Sequence, residues 1–275
     1  MKKSLKEKIE KIAGVQAIGN MIAIDGDKEL YPLPLVDGNA KIGKGVWHAS
    51  TLPGAGVITL KNGDSERGTC PVTCPGCYAM TGNYCFDAIR AILMKRTRLL
   101  KKYPHIYFLL VAAQIECENV KLLRVHASGD FLPGEATGWY KIFKAYPHVI
   151  GWTYTKCDIK GEIKKLDSLY NFNIVKSIVP GCGFNYGRID YILNTYKKLI
   201  ERGENVYVCR CGIDKNQHCK DCTGCALNKY VLFIEHSTGY NAAADLLYNE
   251  IYNLIESQEK PGTFETLPAM VGAYA

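Results

Sequence analysis

From residue 86 onward, short apolar runs alternate with helical stretches, and this alternation restricts the chain more than any other feature. FDAIRAILMKRTRLLKKY (86–103) reads as a helix stopped by Pro104, and HIYFLLVAAQIE (105–116) as a second. KLLRVHAS (121–128) then reads as a buried strand ending at Gly129. The pattern repeats with a helix over 135–146, a strand over 149–155, a helix over 159–170 and a strand over 172–180. It continues with a helix over 188–203, strands over 205–209 and 231–236, and a last helix over 242–257. Strands that are short apolar runs, separated by helices, form a parallel sheet covered by those helices. Counting from GVWHASTLP (45–53), about six β/α steps are present, too few for a closed eightfold barrel. The expected fold is therefore α/β: a partial (β/α)6-like barrel or an open parallel sheet, with its chemistry at the C-terminal strand ends.

The chain divides accordingly into an N-terminal helix and preamble (1–44) and a β/α core (45–208) with a cysteine loop at 68–80. A cysteine-rich insertion (209–230) and a last strand, helix and tail (231–275) follow. MKKSLKEKIEKIAG starts like a signal peptide but lacks the apolar core of one, and it reads as an amphipathic lysine-rich helix. No uncharged apolar run is long enough for a transmembrane helix, so a cytoplasmic protein without a membrane partner is expected. The final apolar segment, 261–275, reads as a plug over the sheet or a flexible tail.

In a reducing compartment, 12 cysteines point to metal, cluster or thiol chemistry rather than disulfides. Cys70, Cys74 and Cys77 are spaced C-x3-C-x2-C, in a loop between the first strand and a long helix. A structural zinc site requires four protein ligands. Three close thiolates instead suit a [4Fe–4S] cluster, whose irons sit at separate corners, and leave one position open. Cys209, Cys211, Cys219, Cys222 and Cys225 form a second group. Its C-x2-C-x2-C run suits another [4Fe–4S] cluster closed by Cys209 or Cys211, with zinc as the alternative. Cys85, Cys117, Cys157 and Cys182 read as buried free thiols, with Cys85 and Cys182 the two expected to approach a site. His126 reads as a satisfied core histidine.

The C-x3-C-x2-C loop after the first strand of a β/α series resembles the radical S-adenosylmethionine superfamily. That resemblance implies a cluster whose open iron binds S-adenosylmethionine, a low-potential electron donor, and a 5′-deoxyadenosyl radical that abstracts hydrogen from a substrate. It also implies cofactor contacts from the Ser128-Gly129-Asp130 turn, from Tyr78 near the adenine, and from Thr153 and Ser177 at later strand ends. A closer likeness spans roughly residues 38 to 236. GNAKIGKGVWHASTLPG, TCPVTCPGCYA, VHASGDF, YTK and the C-x2-C-x2-C run before FIEH resemble a phage-borne family called gene product eighty-eight. That family implies a mobile-element protein and no particular reaction.

The net charge of +7 and pI near 8.7 permit nucleic-acid binding. The densest basic run, KRTRLLKKY (95–103), reads as a solvated helix face rather than a docking stripe. Nucleic acid or a peptide is the expected substrate class, with 18 tyrosines available for base stacking. Two further readings remain open: a phage iron–sulfur protein that binds or senses without catalysis, and a protein with two zinc sites.

Overall fold

The computed structural model describes residues 1–38, 42–72, 77–176, 186–187, 189–209, 218–222, 224–234, 249–250, 253–254 and 256–257. The N-terminal helix α1 (Lys3–Ile9) leads into an antiparallel meander of β1 (Val15–Ile18), β2 (Met21–Ile24) and β3 (Leu30–Pro32). The lysine-rich pattern of the preamble predicts the helix alone. The three strands are too short to show a periodic signal, and the turns between them carry Gly19 and Gly26 at positive φ.

The chain next forms β4 (Leu35–Asp37) and β5 (Val46–Ala49), then a hairpin of β6 (Val57–Thr59) and β7 (Ser65–Arg67). Helices α2 (Asp87–Lys102) and α3 (Pro104–Glu118) follow. Pro104 ends α2 and begins α3 at the first helical position, where its missing N–H costs nothing. The β/α series continues through β8 (Leu122–Arg124), α4 (Glu135–Ala145), β9 (Ile150–Thr155), α5 (Gly161–Asp167) and β10 (Phe172–Lys176). Beyond it lie β11 (Tyr186–Gly187), α6 (Ile189–Glu201), β12 (Val206–Val208), α7 (Gly224–Leu227) and β13 (Tyr230–Ile234). The helix expected over 242–257 and the tail fall mostly outside the described residues.

The main sheet has five strands in the order β10-β9-β8-β5-β4. All are parallel except β4, which runs antiparallel on the edge. The last three strands form a separate parallel sheet, β11-β13-β12. The described strands thus make a mixed α/β protein with two parallel sheet segments, and they do not close a barrel. Single-strand periodicity carries no information on which sheet a strand joins.

Alternation along the strands gives the main sheet two different faces. Leu123, Val125, Phe172 and Ile174 point toward α3, α4 and α5, where Tyr107, Trp139, Phe143 and Leu166 fill the main core. The Phe143 and Phe172 rings pack with centroids 4.5 Å apart. Val46, Leu122, Ile150, Trp152, Tyr154 and Val175 point to the opposite, inner face. That face is covered by Tyr207 of β12, Val231 of β13, and Cys209 and Cys225. A β9 buried on both sides reads as an unbroken apolar run, as the sequence has it.

The basic run on α2 is engaged within the protein. The Arg98 guanidinium bonds both oxygens of Asp64 (2.5 and 3.2 Å), Glu29 (3.0 Å), Glu66 (3.3 Å) and the Ser65 carbonyl (2.9 Å). Lys101 pairs with Glu66 at 2.8 Å, and buried Arg96 donates to the Leu33 carbonyl at 2.9 Å. These bonds fasten the meander and the β6–β7 hairpin to α2. Arg98→Ala is expected to leave three carboxylates facing one another and to lower stability by about 2–3 kcal/mol. Urea unfolding at neutral pH checks this; a midpoint equal to the parent's refutes the clamp.

Candidate functional site at the strand ends

The C-terminal ends of β5, β8 and β9 meet around one buried carboxylate. The chain leaves β8 early because His126 adopts a positive φ of 55°, which ends the strand expected to run to 128. Pairing persists on both sides: Val125 N–H bonds the Trp152 carbonyl, and Ala127 N–H bonds the Ala49 carbonyl, each at 2.9 Å. His126 turns into the helix-side core, where Nε2 meets Glu135 Oε1 at 2.8 Å. Glu135 also accepts from Trp139 Nε1 and the Leu132 N–H, each at 2.9 Å. Burial pulls the imidazole pKa down, but the Glu135 charge and hydrogen bond, with the Asp130 charge, outweigh it and raise the value.

Beyond His126, the Ser128-Gly129-Asp130 turn packs onto the β5 end. Ser128 Oγ donates to the Thr51 carbonyl at 2.8 Å, and Thr51 N–H returns a bond to the Ser128 carbonyl at 3.0 Å. Asp130 N–H donates to Thr69 Oγ1 at 2.9 Å, which itself lies 2.9 Å from Thr51 Oγ1. Gly129 is required here: its φ is +85°, and a Cβ would stand 1.9 Å from Thr51 Oγ1. The Asp130 carboxylate is 1% exposed. It accepts the Thr155 hydroxyl (2.6 Å) and the N–H groups of Lys156 and Phe131 (2.8 Å each).

The cysteine loop is carried to this point by the β6–β7 hairpin. Residues 52–56 and 68–70 pair through Thr69 N–H to Leu52 O (2.9 Å), Cys70 N–H to Gly54 O (3.1 Å) and Gly68 N–H to Gly56 O (3.0 Å). Gly54 N–H donates to Cys70 Sγ at 3.3 Å. Burial pushes the Cys70 thiol up to about 11; the Gly54 hydrogen bond opposes this, the Asp130 charge adds to it, and the Lys156 charge opposes it. Cys77 is half-buried nearby, and Tyr78 begins the short 3₁₀ turn Tyr78–Met80. Cys74 lies outside the described residues, as do Ser177, Cys182 and Cys211.

Three sequence expectations are placed differently. Thr153 is fully buried on the helix side, 3.5 Å from His126 Nδ1, and not on the turn that faces Cys70. Cys85 is exposed and donates to the Met80 carbonyl at 3.1 Å. Among the described residues, the additional thiol at the strand ends is Cys157, with Sγ 3.7 Å from Asp130 Oδ1. Burial, then the Asp130 charge, pushes it to about 11, and Cys70 is close enough to add to the effect. Its position just past the end of β9 was the available signal.

The second thiol group rests on the inner face. Cys209 and Cys225 are buried there, with Cys219 and Cys222 half-buried beside them. The Tyr207 hydroxyl lies 3.2 Å from Cys222 Sγ, and the Tyr154 hydroxyl hydrogen-bonds Cys225. Asn173 Nδ2 donates to the carbonyls of Cys225 and Asn228, each at 2.8 Å, fixing α7 on the sheet. Gly224 allows this packing, since a Cβ would meet the Tyr207 ring at 2.2 Å. Burial drives the Cys225 thiol well up, and the Cys219 charge adds to this, while the Tyr154 hydrogen bond and the Arg124 charge oppose it. Among the described residues, no three His, Cys, Asp or Glu side chains converge on a point that could hold a single metal ion. Gly54 N–H faces the Cys70 sulfur and the Tyr154 hydroxyl the Cys225 sulfur, and cysteine sulfur is the soft donor type that zinc and iron–sulfur clusters both take.

Fold and sites define an α/β protein with two thiol groups, one at the parallel strand ends and one under the sheet. The chain belongs to the Gene product 88 family, whose model matches residues 33–179. That match covers the main sheet and the first cysteine loop and stops before the second thiol group. No curated protein and no solved structure matched the chain. Among the described residues, no helix is long and apolar enough to cross a membrane.

Gly129→Ala is expected to separate the turn from Thr51 and Thr69 and to cost at least about 3 kcal/mol, read by chemical unfolding; parent-like stability refutes the packing. The raised His126 value predicts a stability contribution fully present below the ordinary value of 6.5 and lost as pH rises through the folded value. His126→Gln should flatten that alkaline decline in a pH series of unfolding midpoints; an unchanged slope refutes the pairing.

Proposed function

We propose that the protein is an iron–sulfur enzyme of the radical S-adenosylmethionine type, working in the cytoplasm on a substrate of unassigned class. The observation that carries this reading is the position of Cys70. It stands against the Ser128–Asp130 turn at the C-terminal ends of adjacent parallel strands, where α/β folds bind ligands. Cys70, Cys74 and Cys77 would hold the cluster, and an arrangement related to a partial barrel would surround it. When bound, such a cluster supplies the low-potential electron that cleaves S-adenosylmethionine to a 5′-deoxyadenosyl radical for hydrogen abstraction.

The chain's own groups have definable parts in this reading. The Gly54 N–H and the Lys156 charge favour the Cys70 thiolate against burial. Thr155 and the Lys156 N–H pin Asp130, so the turn between the thiols and the sheet is rigid. Nucleic acid and peptide both stay as substrate classes, but the α2 basic run does not favour the former, because Arg96, Arg98 and Lys101 are engaged internally.

Cys157 supports a second reading, a phage iron–sulfur protein that binds or senses without catalysis. A fourth protein thiol beside Cys70 could close the coordination that a cofactor needs open. Anaerobic reconstitution with iron and sulfide, followed by electron paramagnetic resonance with and without S-adenosylmethionine, separates the readings. The enzyme reading expects iron that drops by about half in Cys70→Ser, and a reduced spectrum that shifts with S-adenosylmethionine. Iron with an indifferent spectrum that becomes responsive in Cys157→Ala supports closure by Cys157. Zinc in place of iron refutes both.

A further inference from the structure

The strand register sets His48, Arg124, Trp152 and Asn173 in one row across the inner face of β5, β8, β9 and β10. Arg124 is the cation of that row, on the central strand. Its guanidinium carbon stands 5.1 Å from the centroid of the Tyr154 ring, and the Tyr154 hydroxyl bonds Cys225. His48, the row's other basic group, is held down to about 4 by burial and by the charges of Arg96 and Arg124, so it is neutral at ordinary pH. The rest of this face is largely apolar, with Ile150, Trp152, Val175 and Val231 beside the Tyr207 hydroxyl and the Asn173 amide. A cubane on four thiolates carries a net charge of about −2, and one more negative charge when reduced. Such a charge against a largely apolar face is stabilised by the Tyr154 and Tyr207 hydroxyls at the thiols and by a nearby cation.

We propose that Arg124, acting across the Tyr154 ring and hydroxyl, is the counter-cation of the second thiol centre and sets its reduction potential. This rests on reading that centre as an iron–sulfur cluster held by Cys219, Cys222, Cys225 and one of Cys209 or Cys211. The extra negative charge of the reduced state lies in the field of a fixed guanidinium, so reduction is favoured relative to a site without it. Arg124 is thus a positioning and tuning residue, with no contact to substrate implied.

The experiment uses the full chain carrying Cys70→Ser and Cys77→Ser, so that only the second centre can load. After anaerobic reconstitution, dithionite supplies the electron in a redox titration followed by electron paramagnetic resonance. Arg124→Gln is expected to disfavour the reduced form about tenfold, which is about 59 mV for one electron. Arg124→Lys keeps the charge and should stay near the parent. Tyr154→Phe keeps the ring but removes the hydroxyl and should move the potential in the same direction as Arg124→Gln. A purely structural Arg124 would change loading or thermal stability and leave the potential in place. If the double cysteine variant takes up no iron, the second-centre reading falls and the inference with it. If iron loads and neither Arg124→Gln nor Tyr154→Phe moves the potential, the inference alone is overturned. Should Arg124→Gln fail to fold, an unmoved potential in Tyr154→Phe is enough to overturn it.

Discussion

The architecture of the strand ends depends on how one buried carboxylate is satisfied. Asp130 sits almost fully out of water at the top of the sheet, where an unpaired charge would cost several kcal/mol. Its acceptors are filled from β9 by the Thr155 hydroxyl and the Lys156 N–H, while its own N–H reaches Thr69 on the cysteine loop. One residue therefore ties the ends of β8 and β9 to the segment that carries Cys70. Gly129 makes the tie possible by bringing the backbone against Thr51 and Thr69 without a side chain between them. The thiols of Cys70 and Cys157 flank this carboxylate.

Beneath these strand ends, the two faces of the sheet have different chemistry. The helix side is a close-packed aromatic and aliphatic core, in which His126 and Trp139 both bond Glu135. The inner side combines apolar surface with a short row of polar groups and four cysteines. There Tyr154, Tyr207 and Asn173 direct hydroxyls and an amide at the thiol module. Polar groups placed so specifically in an apolar setting hold one arrangement of the module over alternatives. The basic excess of the chain is partly absorbed by architecture: Arg98 gathers Glu29, Asp64 and Glu66, and so joins the meander, the hairpin and α2.

Much of this was legible in the residues. The β/α alternation from 86 to 176 marked α2 through β10, and Pro104 marked the join between two helices. Ser128-Gly129-Asp130 was recognisable as a strand-end turn, and the loop that carries Cys70 as one that lies at the strand ends. The preamble strands and the β6–β7 hairpin were not legible, because three- and four-residue strands bounded by turns leave no periodic trace. Cys157 follows the end of β9, which places it at a strand end, but its approach to Asp130 is set by the parallel pairing of β8 with β9.

The sequence by itself determined the α/β class, the order of helices and strands in the core, the two cysteine groups and membership of the Gene product 88 family. These follow from local periodicity, turn residues and spacing, which each stretch of chain carries on its own. The tertiary structure decided that the last strands form a second sheet and that the thiol module covers the inner face. It also decided that Thr155, Lys156 and Cys157 converge on Asp130, and that Arg98 and Lys101 face acids. Those outcomes come from burial and hydrogen bonding between segments far apart in the chain, and no single segment encodes its partner.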